Sequence, residues 1–121
     1  MTFERLEGQG AVEVDLLPTE DVKKVLEAIA RIFPNSKLSE RDGKMIGSVD
    51  LSFFKQLVEK EDIKTVVEAL LDKNLSGQRS YIDLNKMAAC AGRIGMEEDS
   101  PIGKIRLHVD WKSIILLKST L

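Results

Sequence analysis

The sequence predicts an α+β domain in which a mainly antiparallel sheet carries helices packed on one face. Three observations lead there. Residues 11–17 and 104–110 alternate apolar and polar side chains with the period of two that a half-buried strand requires. Residues 22–33 and 51–71 repeat apolar side chains at helical spacing, on one side only. The elements run strand, helix, strands, helices, strands, with hairpin-length turns late in the chain, which does not fit a strictly alternating parallel sheet. One-sided helices cover one face of such a sheet, so the other is left wetter and open to a partner.

Taken in order, Val12, Val14 and Leu16 point one way and Glu13 and Asp15 the other, a strand that Pro18 stops. Thr19 is suited to cap the next helix, with Glu20 and Asp21 near its positive end. Val22, Val25, Leu26, Ile29, Ile32 and Phe33 form its apolar stripe, and Pro34 ends it. Arg41-Asp42-Gly43-Lys44 is a turn sequence between two short extended segments. Ser48 or Asp50 opens a second helix, with Leu51, Phe53, Phe54, Leu57 and Val58 on its buried side. Asp62 is suited to cap a third, whose stripe is Ile63, Val66, Val67, Leu70 and Leu71. Glu59-Lys60-Glu61 is either a break between the two or the solvent face of one longer helix.

After a loop at 74–78 comes a strand at 79–84, then a short small-residue helix from Asn85 that Gly92 ends. Arg93–Glu97 reads as another strand and Glu98–Gly103 as a turn. In the strand Lys104–Asp110, Ile105, Leu107 and Val109 face one way and Lys104, Arg106, His108 and Asp110 the other. Residues 111–121 form a short terminal helix.

With 121 residues, the chain has room for one domain, 1–121, with residues 1–10 expected to be loosely ordered. A chain of this size buries about 65% of its unfolded surface, enough for a core without staples. No apolar run approaches the ~20 residues that span a bilayer, so no membrane partner is expected. The opening residues are charged rather than apolar, and Cys90 is the only cysteine, which suits a reducing cytoplasm.

The chemistry-bearing residues are sparse. His108 is the only histidine, and no nucleophile motif lies near it, so it reads as a solvent-facing strand residue. Cys90 sits among alanines and reads as a small buried packing residue. One His and one Cys do not make a zinc site, and Glu97-Glu98-Asp99 lacks calcium-loop spacing. Gly92, Gly95 and Gly103 form no phosphate-binding loop. No catalysis, metal or cofactor is therefore expected.

Charge is uneven along the chain. Residues 1–72 carry 10 basic and 15 acidic side chains, whereas residues 73–121 carry 8 and 5. Arg79, Tyr81, Arg93, Lys104 and Arg106 fall on or beside the outward side of the late strands. Guanidinium and ammonium groups neutralise phosphates, and Tyr81 or an arginine plane can stack on an unpaired base. RNA is the expected partner, and Lys86 joins the basic set as a sixth candidate.

Three stretches carry a resemblance. They are Val12-Glu13-Val14 leading through Leu17-Pro18-Thr19-Glu20-Asp21 to Phe33-Pro34; Ile82–Ala89, with Asn85-Lys86 at its centre; and Pro101-Ile102-Gly103-Lys104-Ile105. In order and spacing, the chain resembles archaeal uncharacterised protein family two hundred and one over most of residues 11–110. The resemblance implies a fold like that of large-subunit ribosomal protein five and a place among predicted RNA-binding proteins. It carries Asn85 and Lys86 over as members of the family motif, without a role. Met87 stands where the family has glutamine. The alternative to RNA binding is a scaffold role as a homodimer, through the open sheet face or the apolar segment Ile114–Leu117.

Overall fold

The computed structural model describes residues 9–96 and 103–118. β1 (Gln9–Asp15) leads to α1 (Val22–Ile32), and the hairpin β2 (Lys37–Arg41) and β3 (Lys44–Asp50) follows. Next come α2 (Ser52–Lys60), α3 (Lys64–Lys73), β4 (Arg79–Asn85), α4 (Lys86–Cys90), β5 (Lys104–Asp110) and α5 (Trp111–Lys118). The strands form one sheet in the order β2-β3-β1-β5-β4, and every neighbouring pair is antiparallel. The predicted α+β class is correct.

The period-two pattern sorts the two faces as expected. Val12, Val14, Ile82, Leu84, Ile105, Leu107 and Val109 are all buried and join one core with the inward residues of the helices. Val25, Ala28, Ile29 and Ile32 supply the α1 side, and Phe33 stacks on Phe54 of α2 with ring centroids 5.1 Å apart. The helices thus lie on one face, and the other carries the polar side chains. Asp42 and Gly43, both at positive φ, make the tight β2–β3 turn.

Several local expectations need correction. Asp21, not Thr19, caps α1 by accepting the Lys23 N–H. Ser48 lies within β3; of the two expected openers, Asp50 accepts the Ser52 N–H at the start of α2. The Glu59–Glu61 ambiguity resolves as a break, because Asp62 adopts a left-handed φ of 56° that no helix continues through. Asp62 therefore turns the chain, and Ile63 stands at the N-cap of α3 without a side-chain cap bond. β1 begins at Gln9, inside the stretch expected to be loose.

Of the expected strand Arg93–Glu97, the described residues 93–96 form no strand of the sheet. The Arg93 N–H closes back on the Ala88 carbonyl, and only Met96 bridges to Leu84. Glu97 and the acidic turn through Ile102 lie outside the described residues. Cys90 is exposed rather than buried, because Ala89 takes the inward position of the short α4. Phe53 and Val66 are exposed, since Phe54 and Val67 occupy the core-facing places beside them. Ile114 and Leu117 are buried in the chain's own core, whereas Ile115 of the same apolar segment is exposed. Among the described residues, no helix is long and apolar enough to cross a membrane.

Candidate nucleic-acid interface

The outward face is built by register. Asp83 lies opposite Arg106, which lies opposite Glu13, and Tyr81 lies opposite His108. Arg79, Tyr81, Lys104 and Arg106 therefore share one face, as the alternation predicted. They do not form a purely cationic platform, because Glu13, Asp15 and Asp83 alternate onto the same side. Arg106 donates from Nε to Asp83 Oδ1 at 2.8 Å and from Nη2 to Oδ2 at 3.0 Å. Lys104 Nζ stands 3.2 Å from the same carboxylate. On the far side, Lys44 donates to Glu13 at 2.5 Å, and His108 Nε2 lies 3.4 Å from the other Glu13 oxygen.

These pairs set the titration of the face. Burial would raise Asp83, but the hydrogen bonds from Arg106 and Lys104 outweigh it and hold the carboxyl below its usual range. The Lys44 hydrogen bond does the same for Glu13, against the opposing effect of burial and with help from His108. Asp83 in turn pushes Arg106 further up, so the guanidinium is a permanent cation.

Arg106 also lies over the Tyr81 ring, with its Cζ 4.2 Å from the centroid. The pair forms one wall of a groove of about 580 Å³ between α3 and the outward side chains of β4 and β5. Val66 and Leu70 line it from α3 and Met96 from the segment bridged to β4, and Lys73, Asn74, Asp83 and Lys104 complete it. Three cations against one carboxylate leave the lining positive. Asn74 donates its side-chain N–H to the Tyr81 carbonyl at 2.9 Å, which ties α3 to the edge strand. A second, shallow depression of about 110 Å³ lies between Glu13, Asp15, Lys44, Lys104 and Arg106. Lys104 and Arg106 line both.

Two predicted site residues are elsewhere. Lys86 does not reach the outward face. It is 6% exposed, and its Nζ donates to the Asp15 carbonyl and to Glu20 Oε1, the latter at 2.8 Å. Glu20 also accepts the Leu17 N–H, and both bonds bring its carboxyl below the usual range although burial opposes them. Asn85 accepts the Ala88 N–H and caps α4. The Asn85-Lys86 pair is therefore a structural clamp that joins the end of β1, the start of α1 and α4. Gly103 completes it: at φ +83° it lies where a Cβ would stand 3.0 Å from that of Asp15 and 3.3 Å from Lys86 Nζ. Arg93 is exposed in the loop after α4 and lines neither depression.

The clamp gathers one residue or more from each of the three stretches that carried the resemblance. Comparison with known proteins points the same way. A UPF0201 protein of Sulfurisphaera tokodaii is 32% identical over 112 residues, spanning 84% of this chain and 77% of that one. The chain belongs to the UPF0201 family. A UPF0201 protein of Methanothermobacter thermautotrophicus is 28% identical, over 86% of this chain and 83% of that one. The crystal structure of the UPF0201 protein from Methanococcus jannaschii superposes with a TM-score of 0.81 at 27% identity, covering 93% of this chain and 95% of that one. No family model matches the chain.

Sequence reasoning missed Val66, Leu70, Lys73, Asn74 and Met96 as groove residues, and Asp83 and Glu13 as partners of the basic set. The last two were legible, since Asp83 shares the side of Tyr81 and alternates with Ile82 and Leu84, as Glu13 does with Val12 and Val14. The α3 contribution was hidden, because Val66 and Leu70 read as one stripe with Val67 and Leu71.

Proposed function

We propose that this UPF0201 protein binds RNA without catalysis, through the outward side of β4 and β5. The reading is carried by Lys104 and Arg106 lining both the groove and the shallow depression, so that four cations from Lys73 to Lys44 stand along one face against the three carboxylates Asp83, Glu13 and Asp15. The ion pairs on this face do not exhaust its donors. Of the five N–H groups of a guanidinium, Asp83 takes two from Arg106, leaving three for phosphate oxygens. Arg79, exposed at the start of β4, extends the set. The fold likeness to large-subunit ribosomal protein five that the family resemblance implies supports the same ligand.

About three or four phosphate contacts give a log affinity that falls with log salt at a slope of roughly −2 to −3 for a single strand. Charge reversal at both Lys104 and Arg106 abolishes binding in a titration of the protein against a labelled oligoribonucleotide; unchanged affinity refutes this surface. Self-association is the second reading, favoured by Trp111 and Ile115, which stand half exposed one turn apart on α5. Sedimentation at micromolar concentration separates the two, because only self-association yields a dimer that Ile115→Glu dissolves.

A further inference from the structure

The groove beside α3 differs from the rest of the outward face in one respect: half of its lining is apolar. Val66 is 47% exposed, and the partly buried Leu70 and Met96 line the groove with it and with Tyr81 and Arg106. A phosphate track does not use such a wall. Phosphate oxygens gain nothing from aliphatic carbon, whereas the exposed Val66 and the uncovered edges of the partly buried Leu70 and Met96 offer apolar surface that a flat ligand covers favourably. Nor does a purely apolar occupant suit the site, because Lys73, Lys104 and Arg106 ring it with positive charge and Asn74 adds a polar edge. The Tyr81 carbonyl fixes the Asn74 amide through one N–H, and no described residue is seen to bond its oxygen.

A nucleobase attached to its sugar and phosphate meets all of these conditions. It has flat π faces for an arginine plane and for aliphatic carbon, a polar edge for an amide, and an anionic tether for the cations. Arg106 is already arranged for this. Tyr81 lies under its guanidinium, Asp83 holds it by two hydrogen bonds, and the side chain stays one-third exposed. We infer that the groove between α3 and β4 is a subsite for a single unpaired base, stacked on the Arg106–Tyr81 pair, and that the RNA bound is single-stranded. Arg106 then acts as the stacking plane, Asp83 as the residue that positions it, and Lys73 and Lys104 as the phosphate ligands. A duplex cannot occupy the groove, because its bases are stacked on one another inside the helix and show only their edges.

This inference rests on the RNA-binding reading, and the test separates their failures. Fluorescence anisotropy of the full chain is measured with an eight-nucleotide single strand, with the same strand in a duplex, and with a version lacking bases at alternate positions. The single strand is expected to bind at least tenfold tighter than the other two. Arg106→Lys, which keeps the charge and loses the plane, lowers affinity about tenfold without changing the salt slope. Val66→Lys, at an exposed position, weakens binding by filling the apolar wall, although it adds a cation. Thermal melting confirms that both variants are folded. If the duplex binds as well as the single strand, or Val66→Lys binds as tightly or tighter, the base subsite is wrong while RNA binding stands. If no RNA binds at all, the reading and the subsite fall together.

Discussion

Lys86 and Arg106 are both basic residues of the late half of the chain, and in the sequence both read as candidate RNA ligands. In the fold they do opposite things. Lys86 Nζ is enclosed between the Asp15 carbonyl and Glu20, whereas Arg106 stands one-third exposed on the open face, over Tyr81 and paired with Asp83. The difference is one of partners. Lys86 bonds to groups 71 and 66 positions away, so it holds separate elements together. Arg106 bonds to the directly opposed residue of the neighbouring strand and keeps donors toward solvent. A buried charge with satisfied bonds is expensive to disturb, whereas a half-exposed one is worth little to stability and is free to meet a ligand.

The largest expected effect breaks the comparison at the buried end. Lys86→Ala leaves Glu20 and the Asp15 carbonyl without their partner and costs about 3 kcal/mol, read as a lowered midpoint in urea unfolding. RNA affinity of the folded fraction is unchanged. Asp83→Asn comes next, at about 1–2 kcal/mol, because it removes the charge that two cations share in a mostly buried place.

Acid sharpens the same point. Asp83, Glu13 and Glu20 all have lowered pKa values in the fold. Their contribution is therefore complete above the ordinary carboxylate range and is lost as pH falls through the lower folded values. The melting temperature should be level above about pH 5 and fall below about pH 4. In Asp83→Asn the level part lies lower and the fall is shallower.

Asn85→Ala removes the cap of α4 and costs about 1 kcal/mol, measured by the same unfolding curve. Smallest of all, Arg106→Ala costs stability less than about 1 kcal/mol once solvent screening is counted, although it lowers RNA affinity more than any change at Lys86.

What was legible in the sequence followed from local periodicity. The two faces of β4 and β5 came from alternation within seven residues, and that alone places Arg79, Tyr81, Lys104 and Arg106 together. The inner stripe of α1 came from spacing in the same way. What was not legible needed the third dimension. No local pattern says that Lys86, second in an Asn-Lys pair, turns inward to meet residues near 15 and 20. The Arg93–Glu97 stretch has strand-like residues, but the Ala88 carbonyl captures its first N–H and leaves a single bridge at Met96. The division of α3 between a core side and a groove side depended on where β4 lay beside it. Met87 shows the same limit: set among small residues in the sequence, it is 71% exposed in the fold.

The most direct test is to compare Lys86→Ala and Arg106→Glu side by side, reading unfolding midpoint and affinity for a single-stranded oligoribonucleotide on the same preparations. The account predicts a crossed result: Lys86→Ala loses stability and keeps affinity, and Arg106→Glu keeps stability and loses affinity. If Lys86→Ala, confirmed folded, loses affinity while Arg106→Glu binds like the unaltered chain, the proposal that the open face of β4 and β5 binds RNA is contradicted.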